Sequence, residues 1–407
     1  MKILHTADWH LGKRLEKFSR LEEQKQVMEE IIDIADAHQA DAILIAGDLF
    51  DAFNPSTEAV ELFYRTVKRL SNNGKRVVVA IAGNHDSPDR IEAPDPLARE
   101  CGIIFSGYPY SHISTCELES GVCVARSEPG FIELKIPGYD YPLRLLITPY
   151  ANEYRLKTFL GVSDEDEELR KVLERSWKHL ADTYCNEQGV NILLTHLYLM
   201  KKGDVPPEEP EDEKPILHVG GAQAIYSENI PTQIQYAALG HLHRYQVIDK
   251  NPCPIIYSSS PLSYSFGEAE QQKYVVLVEA EPGQTAKYAK IALSKGRILQ
   301  RKRFESVDVA LVWLQDNPDS LIELTLATDQ YLSAEDRKRL VNAHDGIITI
   351  IPEVKNLNLS TEHAHTIDLN QNMEELFIQF FQHKHGQQPN AELLELFKEV
   401  RAENNEE

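Results

Sequence analysis

Cysteine is scarce in this sequence, with five residues among 407, and no two of them form a Cys-x-x-Cys pair. An odd number of isolated cysteines supports neither a disulfide framework nor a thiolate zinc site. We therefore expect all five to be reduced residues of the core or the surface, at positions 101, 116, 123, 185 and 253.

Long apolar runs are also lacking, since no stretch approaches the roughly 18 residues that a membrane-spanning helix needs. The chain enters its first apolar segment, KILHTA, without the basic and apolar regions of a signal peptide. Its hydrophobic content of 42% is nevertheless enough for a large core, and 407 residues favour more than one domain. We expect a cytoplasmic globular protein.

Basic residues are outnumbered, because 42 Lys and Arg stand against 64 Asp and Glu and leave a formal net charge of -22. Such a charge opposes broad, sequence-independent adhesion to nucleic acid. Only local basic patches could contact phosphate groups. If the chain acts on DNA, a partner should supply much of the affinity.

Apparent strands alternate with amphipathic helical stretches up to about residue 270, and this repetition predicts a layered α/β domain over residues 1–270. Within it, the segment GDVPPEEPEDEKP at 203–215 is too rich in proline and acid to hold a core and is typical of a solvated loop. The apparent strands are KILHTA, DAILIAGD, RVVVAIAG, LRLLITPY, NILLTHL, YAALGHLH and PIIYSSS.

Shorter elements follow and predict a smaller α+β domain over residues 271–354. Its expected strands are YVVLVEA, YAKIALS, IELTLA and GIITIIPEV, and its expected helices cover 306–315 and 334–343. A polar segment at 355–371 is typical of a linker between this domain and the C-terminal residues.

Two short amphipathic helices are predicted within residues 372–407, on either side of Gly386 and Pro389. This helical pair could dock on its own chain, or it could be a module that binds a partner protein. The apolar stripes that would form the contact are Met373, Leu376, Phe377, Phe380 and Phe381 in the first helix and Leu393, Leu396, Phe397 and Val400 in the second.

Polar side chains follow five of the predicted strands, where α/β proteins place their chemistry. Any one of them alone is more often a turn-former or a helix cap. Together, carboxylate and amide oxygens with imidazoles form a ligand set for Mn, Fe or Zn, and they are too many for one ion but suit two ions that share a carboxylate. The residues are Asp8, His10, Asp48, Asn84, His85, His196, His241 and His243.

The ordered motifs Asp-x-His, Gly-Asp, Gly-Asn-His-Asp, His and Gly-His-x-His resemble those of the calcineurin-like metallophosphoesterase superfamily. The stretches HTADWHLGK, AGDLFD, AGNHDSPDR and ALGHLHR are more similar still to the SbcD-type subunits of bacterial nucleases. This resemblance implies a four-layer α/β/β/α sandwich of two sheets flanked by helices, with a smaller α+β capping domain and a C-terminal two-helix module.

The resemblance also implies roles for individual residues. Two Mn²⁺ ions are expected, with Asp48 as the bridging ligand, and His85 is expected to stabilise the transition state or protonate the leaving oxygen. Asp86 could orient His85 or cap the turn. Asp51 stands where archaeal and eukaryotic relatives tend to carry histidine. The implied ligands are Asp8, His10, Asp48 and His243 for the first metal and Asp48, Asn84, His196 and His241 for the second.

DNA is the substrate that the resemblance favours, because such subunits combine with an SbcC-type, SMC-like ATPase in DNA repair, recombination and replication. It implies a homodimer with 3′-to-5′ exonuclease activity on double strands and endonuclease activity at hairpins or single strands. The helix near 56–72 and the segment 90–100 are candidate dimer contacts. Basic residues that follow the metal motifs could contact DNA phosphates, namely Lys13, Arg14, Arg90, Lys201, Lys202 and Arg244.

Two other interpretations stay open, since phosphatases, cyclic-nucleotide diesterases and nucleases share these motifs. The same site could hydrolyse a small phosphodiester or phosphomonoester. Alternatively, the chain could be a non-catalytic structural subunit whose task is to bind the ATPase.

Overall fold

The structure, a computed structural model, describes residues 1–156, 165–205, 224–328 and 332–354, and within the C-terminal segment only 375–378, 381, 389, 394 and 397. The chain forms two compact units, Met1–Glu353 and Val354–Glu407. Among the described helices, none combines the length and apolar character that crossing a membrane requires.

The secondary structure alternates as expected through the first part of the chain. Its strands are β1 (Lys2–Thr6), β2 (Arg14–Leu15), β3 (Phe18–Ser19), β4 (Ala42–Ile45), β5 (Val77–Ile81), β6 (Ile103–Ser106), β7 (Cys116–Glu117), β8 (Cys123–Glu128), β9 (Phe131–Lys135) and β10 (Leu143–Thr148). Its helices are α1 (Leu21–Ala37), α2 (Thr57–Leu70), α3 (Pro88–Glu92), α4 (Asp95–Arg99) and α5 (Glu153–Leu156).

The elements that follow complete the two large sheets and build the smaller domain. The strands are β11 (Val190–His196), β12 (Leu199–Met200), β13 (Ile225–Tyr226), β14 (Tyr236–Gly240), β15 (Gln246–Asp249), β16 (Ile255–Tyr257), β17 (Tyr274–Glu279), β18 (Lys287–Ala292), β19 (Ile298–Phe304), β20 (Ser320–Thr328) and β21 (Ile347–Val354). The helices are α6 (Glu165–Tyr184), α7 (Val307–Asp316) and α8 (Ala334–Ala343), with short 3₁₀ turns at Ser227–Asn229 and Phe266–Glu268.

Two sheets form the centre of the first domain. One has six strands in the order β18-β17-β1-β4-β5-β6, and the other has eight in the order β15-β16-β14-β11-β10-β9-β8-β7. The strands β1, β4, β5 and β6 are parallel to one another, as are β10, β11, β14 and β16. The carboxyl ends of these parallel strands therefore meet at one edge of each sheet.

The two sheets pack face to face through apolar side chains such as Ile3 and Leu44 from one and Ile192 from the other. Because successive strand residues point to opposite faces, Leu4 instead meets α1 and α2 on the outer side. On the second sheet, α6 covers the outer face through residues that include Trp177. The layers are helix, sheet, sheet and helix, which confirms the predicted four-layer sandwich.

The smaller domain has a three-stranded sheet, β19-β20-β21, that packs against α7 and α8. The sequence places β17 and β18 in this domain as well, and that prediction is wrong for these two strands. They extend the six-stranded sheet, since β17 pairs antiparallel with β1, and β18 pairs with β17. The continuous apolar run of β17 suits a strand covered on both faces.

The C-terminal predictions fall mostly on residues that the structure does not describe. The linker 355–371 lies outside the described residues, as do Met373, Phe380 and Leu393. Leu376, Phe377, Phe381 and Phe397 are described and half-buried. The rings of Phe377 and Phe397 stack with centroids 4.2 Å apart, so the two predicted helices contact each other. Of the acidic segment 203–215, only 203–205 is described.

Candidate metal centre

Main-chain hydrogen bonds bring the ends of β1 and β4 together directly behind the predicted ligands. The Asp8 N–H donates to the Gly47 carbonyl oxygen at 3.0 Å, and the His10 N–H donates to the Asp48 carbonyl oxygen at 2.9 Å. From the second sheet, the His241 N–H donates to Asp8 Oδ1 at 2.8 Å. The loops of both sheets thus meet at one buried cluster.

One group of donors gathers around Asp8, His10 and His243, whose ligand atoms all lie within 4.8 Å of one another. The Nε2 atoms of the two imidazoles face each other at 2.9 Å. Within the described residues, Asp8 Oδ2 is buried and makes no hydrogen bond. A buried carboxylate oxygen without a partner beside two converging imidazoles fits a bound divalent cation.

The second group lies on the other side of Asp48. Its Oδ2 atom is 3.5 Å from His10 Nε2 and 3.4 Å from His196 Nε2, so one carboxylate oxygen faces both groups. Asn84 Oδ1 is 3.0 Å from His196 Nε2 and 3.1 Å from His241 Nδ1. The structure therefore brings all seven predicted ligands together in one buried cluster. Their division into two sets stays a prediction, and Asp8 also lies close to Asp48 and His196.

Burial and neighbouring charges strongly shift the pKa values of the groups in this cluster. Burial raises the pKa of Asp8 to about 6. Burial also opposes charge on Asp48, yet the neighbouring His196 and His10 hold the pKa of Asp48 well below its usual range. His196 responds in the opposite sense, because Asp48 and Asp8 outweigh burial and raise its pKa to about 9. Burial and neighbouring His196 lower the pKa of His241 to about 3.

Hydrogen bonds also select which imidazole nitrogens can bind a cation. His196 Nδ1 lies 2.7 Å from the Ala46 carbonyl oxygen, and a carbonyl can only accept. Nδ1 of His196 therefore carries a hydrogen, and Nε2, which faces Asp48 and Asn84, is the nitrogen that could bind a cation in place of its proton. His243 follows the same logic, because its Nδ1 lies 3.1 Å from Glu268 Oε1.

The backbone of the cluster is strained. Four of the predicted ligands have positive φ angles, which residues with a side chain rarely adopt: 54° at Asp8, 42° at His10, 47° at Asp48 and 110° at His241. Such conformations cost about 1–3 kcal/mol each and concentrate at functional sites. The fold thus holds these residues in place at the expense of stability.

Three glycines precede ligands and allow the loops to approach one another. A Cβ on Gly47 would lie 2.3 Å from His196 Nδ1, and one on Gly240 would lie 1.8 Å from the Ala46 carbonyl oxygen. At Gly83, a Cβ would lie 2.1 Å from Asp48 Oδ1. The Gly-Asp, Gly-Asn and Gly-His pairs of the motifs are therefore steric requirements of the site.

Gly83→Ala tests this packing. We expect it to displace the Asp48 loop, lower the free energy of unfolding by about 3 kcal/mol and abolish tight binding of divalent cations. The matched control is Gly138→Ala, because Gly138 has nothing within 4 Å and should cost only the backbone strain of its φ of 92°, about 1–2 kcal/mol. Urea unfolding and a cation titration of both variants would decide, and equal losses would contradict the steric argument.

His85 stands at the edge of the cluster, half-buried. Its main-chain N–H donates to Asp48 Oδ1 at 2.9 Å, and its Nδ1 lies 3.1 Å from the Asp51 carbonyl oxygen. Lys13 reaches the same loop through an ion pair with the Asp51 carboxylate at 3.1 Å. The imidazole of His85 is therefore oriented by the main chain of Asp51.

Asp86 caps the loops, which is one of the two roles that the sequence leaves open for it, the other being to orient His85. Its carboxylate accepts hydrogen bonds from the N–H groups of Leu49, Phe50 and Gly83 at 2.8–3.0 Å. Arg155, which sequence reasoning missed, donates to the carbonyl oxygens of Gly83 at 2.7 Å and Asp86 at 2.9 Å. Both residues stabilise the loop that carries Asn84 and His85.

The predicted phosphate contacts separate into two kinds. Arg14 on β2, Arg90 on α3 and Arg244 after His243 are exposed and close in sequence to predicted ligands or His85. Lys13 is also close in sequence to a predicted ligand and pairs with Asp51. Arg90 hydrogen-bonds to Asn54 at 3.1 Å. Lys201 and Lys202 instead pair with acids outside the cluster, at 3.9 Å from Asp249 and 2.8 Å from Glu228.

Comparison with known proteins agrees with this geometry. Residues 1–245 match the calcineurin-like phosphoesterase family. The chain is 36% identical over 408 residues to the SbcD subunit of the nuclease SbcCD of Bacillus subtilis (strain 168), which covers 98% of this chain and 97% of the relative. The SbcD subunit of Rhodobacter capsulatus is 31% identical over 70% of this chain and 67% of its own length, and that of Escherichia coli (strain K12) is 28% identical over 83% and 81%. This chain belongs to the calcineurin-like phosphoesterase family and, within it, to the SbcD-type nuclease subunits.

Proposed function

We propose that this chain hydrolyses phosphodiester bonds of DNA with the help of divalent cations, as the nuclease subunit of a complex with an SbcC-type, SMC-like ATPase. One observation carries the proposal: Asp48 Oδ2 faces imidazoles of two donor groups, 3.5 Å from one and 3.4 Å from the other. The relatives, which are named as SbcD subunits of SbcCD nucleases, support DNA as the substrate and the ATPase as the partner.

The donor set supports two cations with Asp48 between them. Mn²⁺ is our choice, because carboxylate and amide oxygens with imidazoles suit it and the described donor groups contain no cysteine. When bound, the cations supply the Lewis acidity that activates water and neutralises charge on the phosphodiester. The residues that would hold them are Asp8, His10, Asp48 and His243 on one side and Asp48, Asn84, His196 and His241 on the other.

His85 is our candidate for proton transfer. Because the Asp51 carbonyl oxygen can only accept, the hydrogen bond at 3.1 Å keeps a hydrogen on His85 Nδ1. Nε2 is then the nitrogen that gains and loses a proton. We propose that protonated His85 stabilises the developing charge on the phosphodiester and protonates the leaving oxygen.

DNA would approach along the segments that carry the exposed arginines. Arg14, Arg90 and Arg244 provide local positive charge in a chain of net charge -22. The smaller domain adjoins one of these segments, because Leu299 and Leu321 share an apolar cluster with Leu15, the residue that follows Arg14. This contact supports a capping role in which the smaller domain orients DNA.

The ATPase partner would bind the two C-terminal helices. The stack of Phe377 on Phe397 supports a paired-helix unit, whose remaining apolar surface would dock on the partner's coiled coil.

We also propose a homodimer. The helix α2 buries Phe63 and Val67 within its own chain, whereas Leu97 on α4 is 75% exposed and could contact a second copy. Action on chromosomal DNA in repair, recombination and replication would place the complex in the cytoplasm.

Cleavage of a labelled DNA hairpin by the purified chain tests the proposal, with Mn²⁺ and with or without the ATPase and ATP. We expect cleavage that requires the cation and increases with the partner. End-labelled double strands would report exonuclease polarity, which we expect to be 3′ to 5′. The outcome against DNA is rapid hydrolysis of a small phosphodiester in every mixture without hairpin cleavage. Inactivity on both substrates with both cations bound would favour a structural subunit.

A further inference from the structure

A buried ion pair lies directly behind His243, outside the predicted ligand set. Glu268 is fully buried, at the end of the 3₁₀ turn Phe266–Glu268, and Lys273 is 5% exposed. Glu268 Oε1 lies 3.1 Å from His243 Nδ1, while Glu268 Oε2 accepts a hydrogen bond from Lys273 Nζ. Lys273 Nζ also donates to the His243 carbonyl oxygen at 2.8 Å and to Ser260 Oγ at 3.0 Å.

This arrangement holds both the ring and the main chain of one residue. The carboxylate accepts from His243 Nδ1, which leaves Nε2 as the nitrogen that faces His10 Nε2 at 2.9 Å. The ammonium group fixes the carboxylate and, at the same time, the carbonyl group of His243. The orientation of the His243 imidazole and its tautomer are therefore both fixed.

A structural role alone explains the pair poorly. Two buried charges are expensive to desolvate, and apolar side chains of similar volume are often as stable or more stable in the same place. The turn has another anchor, because Phe266 packs on Leu299 and Leu321 of the smaller domain. The charged pair therefore points to a role in orienting His243, which apolar packing alone would not provide.

We propose that Glu268 and Lys273 are positioning residues that orient His243 toward the cation on its side of the centre. The inference rests on the proposed two-cation site and adds two residues to it. Loss of such an outer partner typically weakens cation binding about 10–100-fold. Because Glu268 contacts only one of the predicted ligands, the effect should fall on one of the two cations.

The test uses the double variant Glu268→Leu/Lys273→Met in the full-length chain. Replacing both charges avoids leaving one of them buried and unpaired, so we expect the variant to fold. Mn²⁺ titrated into the chelator-treated protein should show two sites in the unmodified chain. In the double variant, one site should be weakened about 10–100-fold and the other unchanged. Thermal unfolding in chelator would report stability without the cations.

Two further variants separate positioning from stability. Glu133→Leu/Arg144→Met removes another largely buried ion pair, whose Nε–Oε2 distance is 2.8 Å, and should leave both cation affinities unchanged. Glu268→Gln keeps an oxygen that can accept from His243 Nδ1, so its affinity should lie between those of the unmodified chain and the double variant. It also serves as the test if the double variant does not fold.

The outcomes distinguish this inference from the proposed function. If the unmodified chain binds no Mn²⁺, the two-cation site is wrong and the positioning role falls with it. If the unmodified chain binds two ions and the Glu268 variants bind both equally well, only the positioning role is wrong. Equal weakening in the Glu133→Leu/Arg144→Met control would also overturn it, since the effect would then be a general one of losing an ion pair.

Discussion

His85→Gln is expected to reduce DNA cleavage by about 10²–10⁴-fold while leaving cation binding unchanged. Glutamine cannot take up and release a proton near neutral pH, so the proposed protonation of the leaving oxygen is lost. The link from this residue to the cluster survives, because it runs from the main-chain N–H of His85 to Asp48 Oδ1 at 2.9 Å. Proton transfer and cation binding should therefore separate in this variant.

The measurement pairs Mn²⁺-dependent hairpin cleavage in the ATPase complex with a Mn²⁺ titration of the same preparation. His179→Gln, at an exposed position on α6, is the matched control and should leave both quantities unchanged. Loss of cation binding in His85→Gln would show that His85 is a ligand and not a proton-transfer residue. Full cleavage activity in that variant would remove His85 from the mechanism altogether.

The strand ends were the most informative part of the sequence, for a physical reason. Parallel strands align their carboxyl ends, so polar residues that follow β1, β4, β5, β11 and β14 must lie near one another once the sheets are packed. The types of these residues then restrict the expected chemistry to the binding of metal ions such as Mn, Fe or Zn. The assignment of individual ligands to individual cations came from the resemblance and stays a prediction that the geometry supports.

Contacts between distant segments could not be predicted in this way. Glu268 lies in a three-residue 3₁₀ turn, and one acid among 64 carries no local signal that it will meet His243. Arg155 likewise carries no local sequence signal that would predict its hydrogen bonds to the carbonyl oxygens of Gly83 and Asp86. In contrast, α6 could have been predicted, because Leu169, Leu173 and Trp177 recur at helical spacing and are buried. The order of strands and helices along the sequence likewise could not show that β17 pairs with β1, because most of the chain separates the two strands.

The function of the smaller domain depends on the same kind of contact. Two of its three strands, β20 and β21, and its two helices could be predicted from periodicity, but not β19 or the junction with the 3₁₀ turn that carries Glu268. Through Phe266, that turn packs on Leu299 and Leu321. Glu23 makes a second connection, since it pairs with Arg20 and accepts from the Arg297 N–H at 2.6 Å. The smaller domain is therefore packed against the segment that supports His243.

Asp48→Asn should weaken both cations, unlike any other substitution of a predicted ligand. Oδ1 of Asp48 accepts from the His85 N–H, whereas Oδ2 faces His10 and His196 at 3.5 and 3.4 Å. An asparagine that keeps the first hydrogen bond must direct its NH₂ group toward the two imidazoles. The variant thus loses a negative charge and places a donor where each cation needs an acceptor. Since outer partners alone change affinity about 10–100-fold, we expect a loss of more than about 100-fold at both sites.

Thermal unfolding with and without Mn²⁺ gives a second measure of the Asp48→Asn effect. An ion at 100 times its dissociation constant stabilises the folded state by about 2.7 kcal/mol, and this increment should disappear in the variant. Asp8→Asn is the contrasting substitution, because the predicted assignment gives Asp8 to one cation only, so its loss should weaken one cation. If Asp48→Asn also weakens only one, Asp48 does not bridge, and the two donor groups bind their cations independently. If it weakens neither, the cations bind elsewhere, and the convergence of Oδ2 on His10 and His196 has no catalytic meaning.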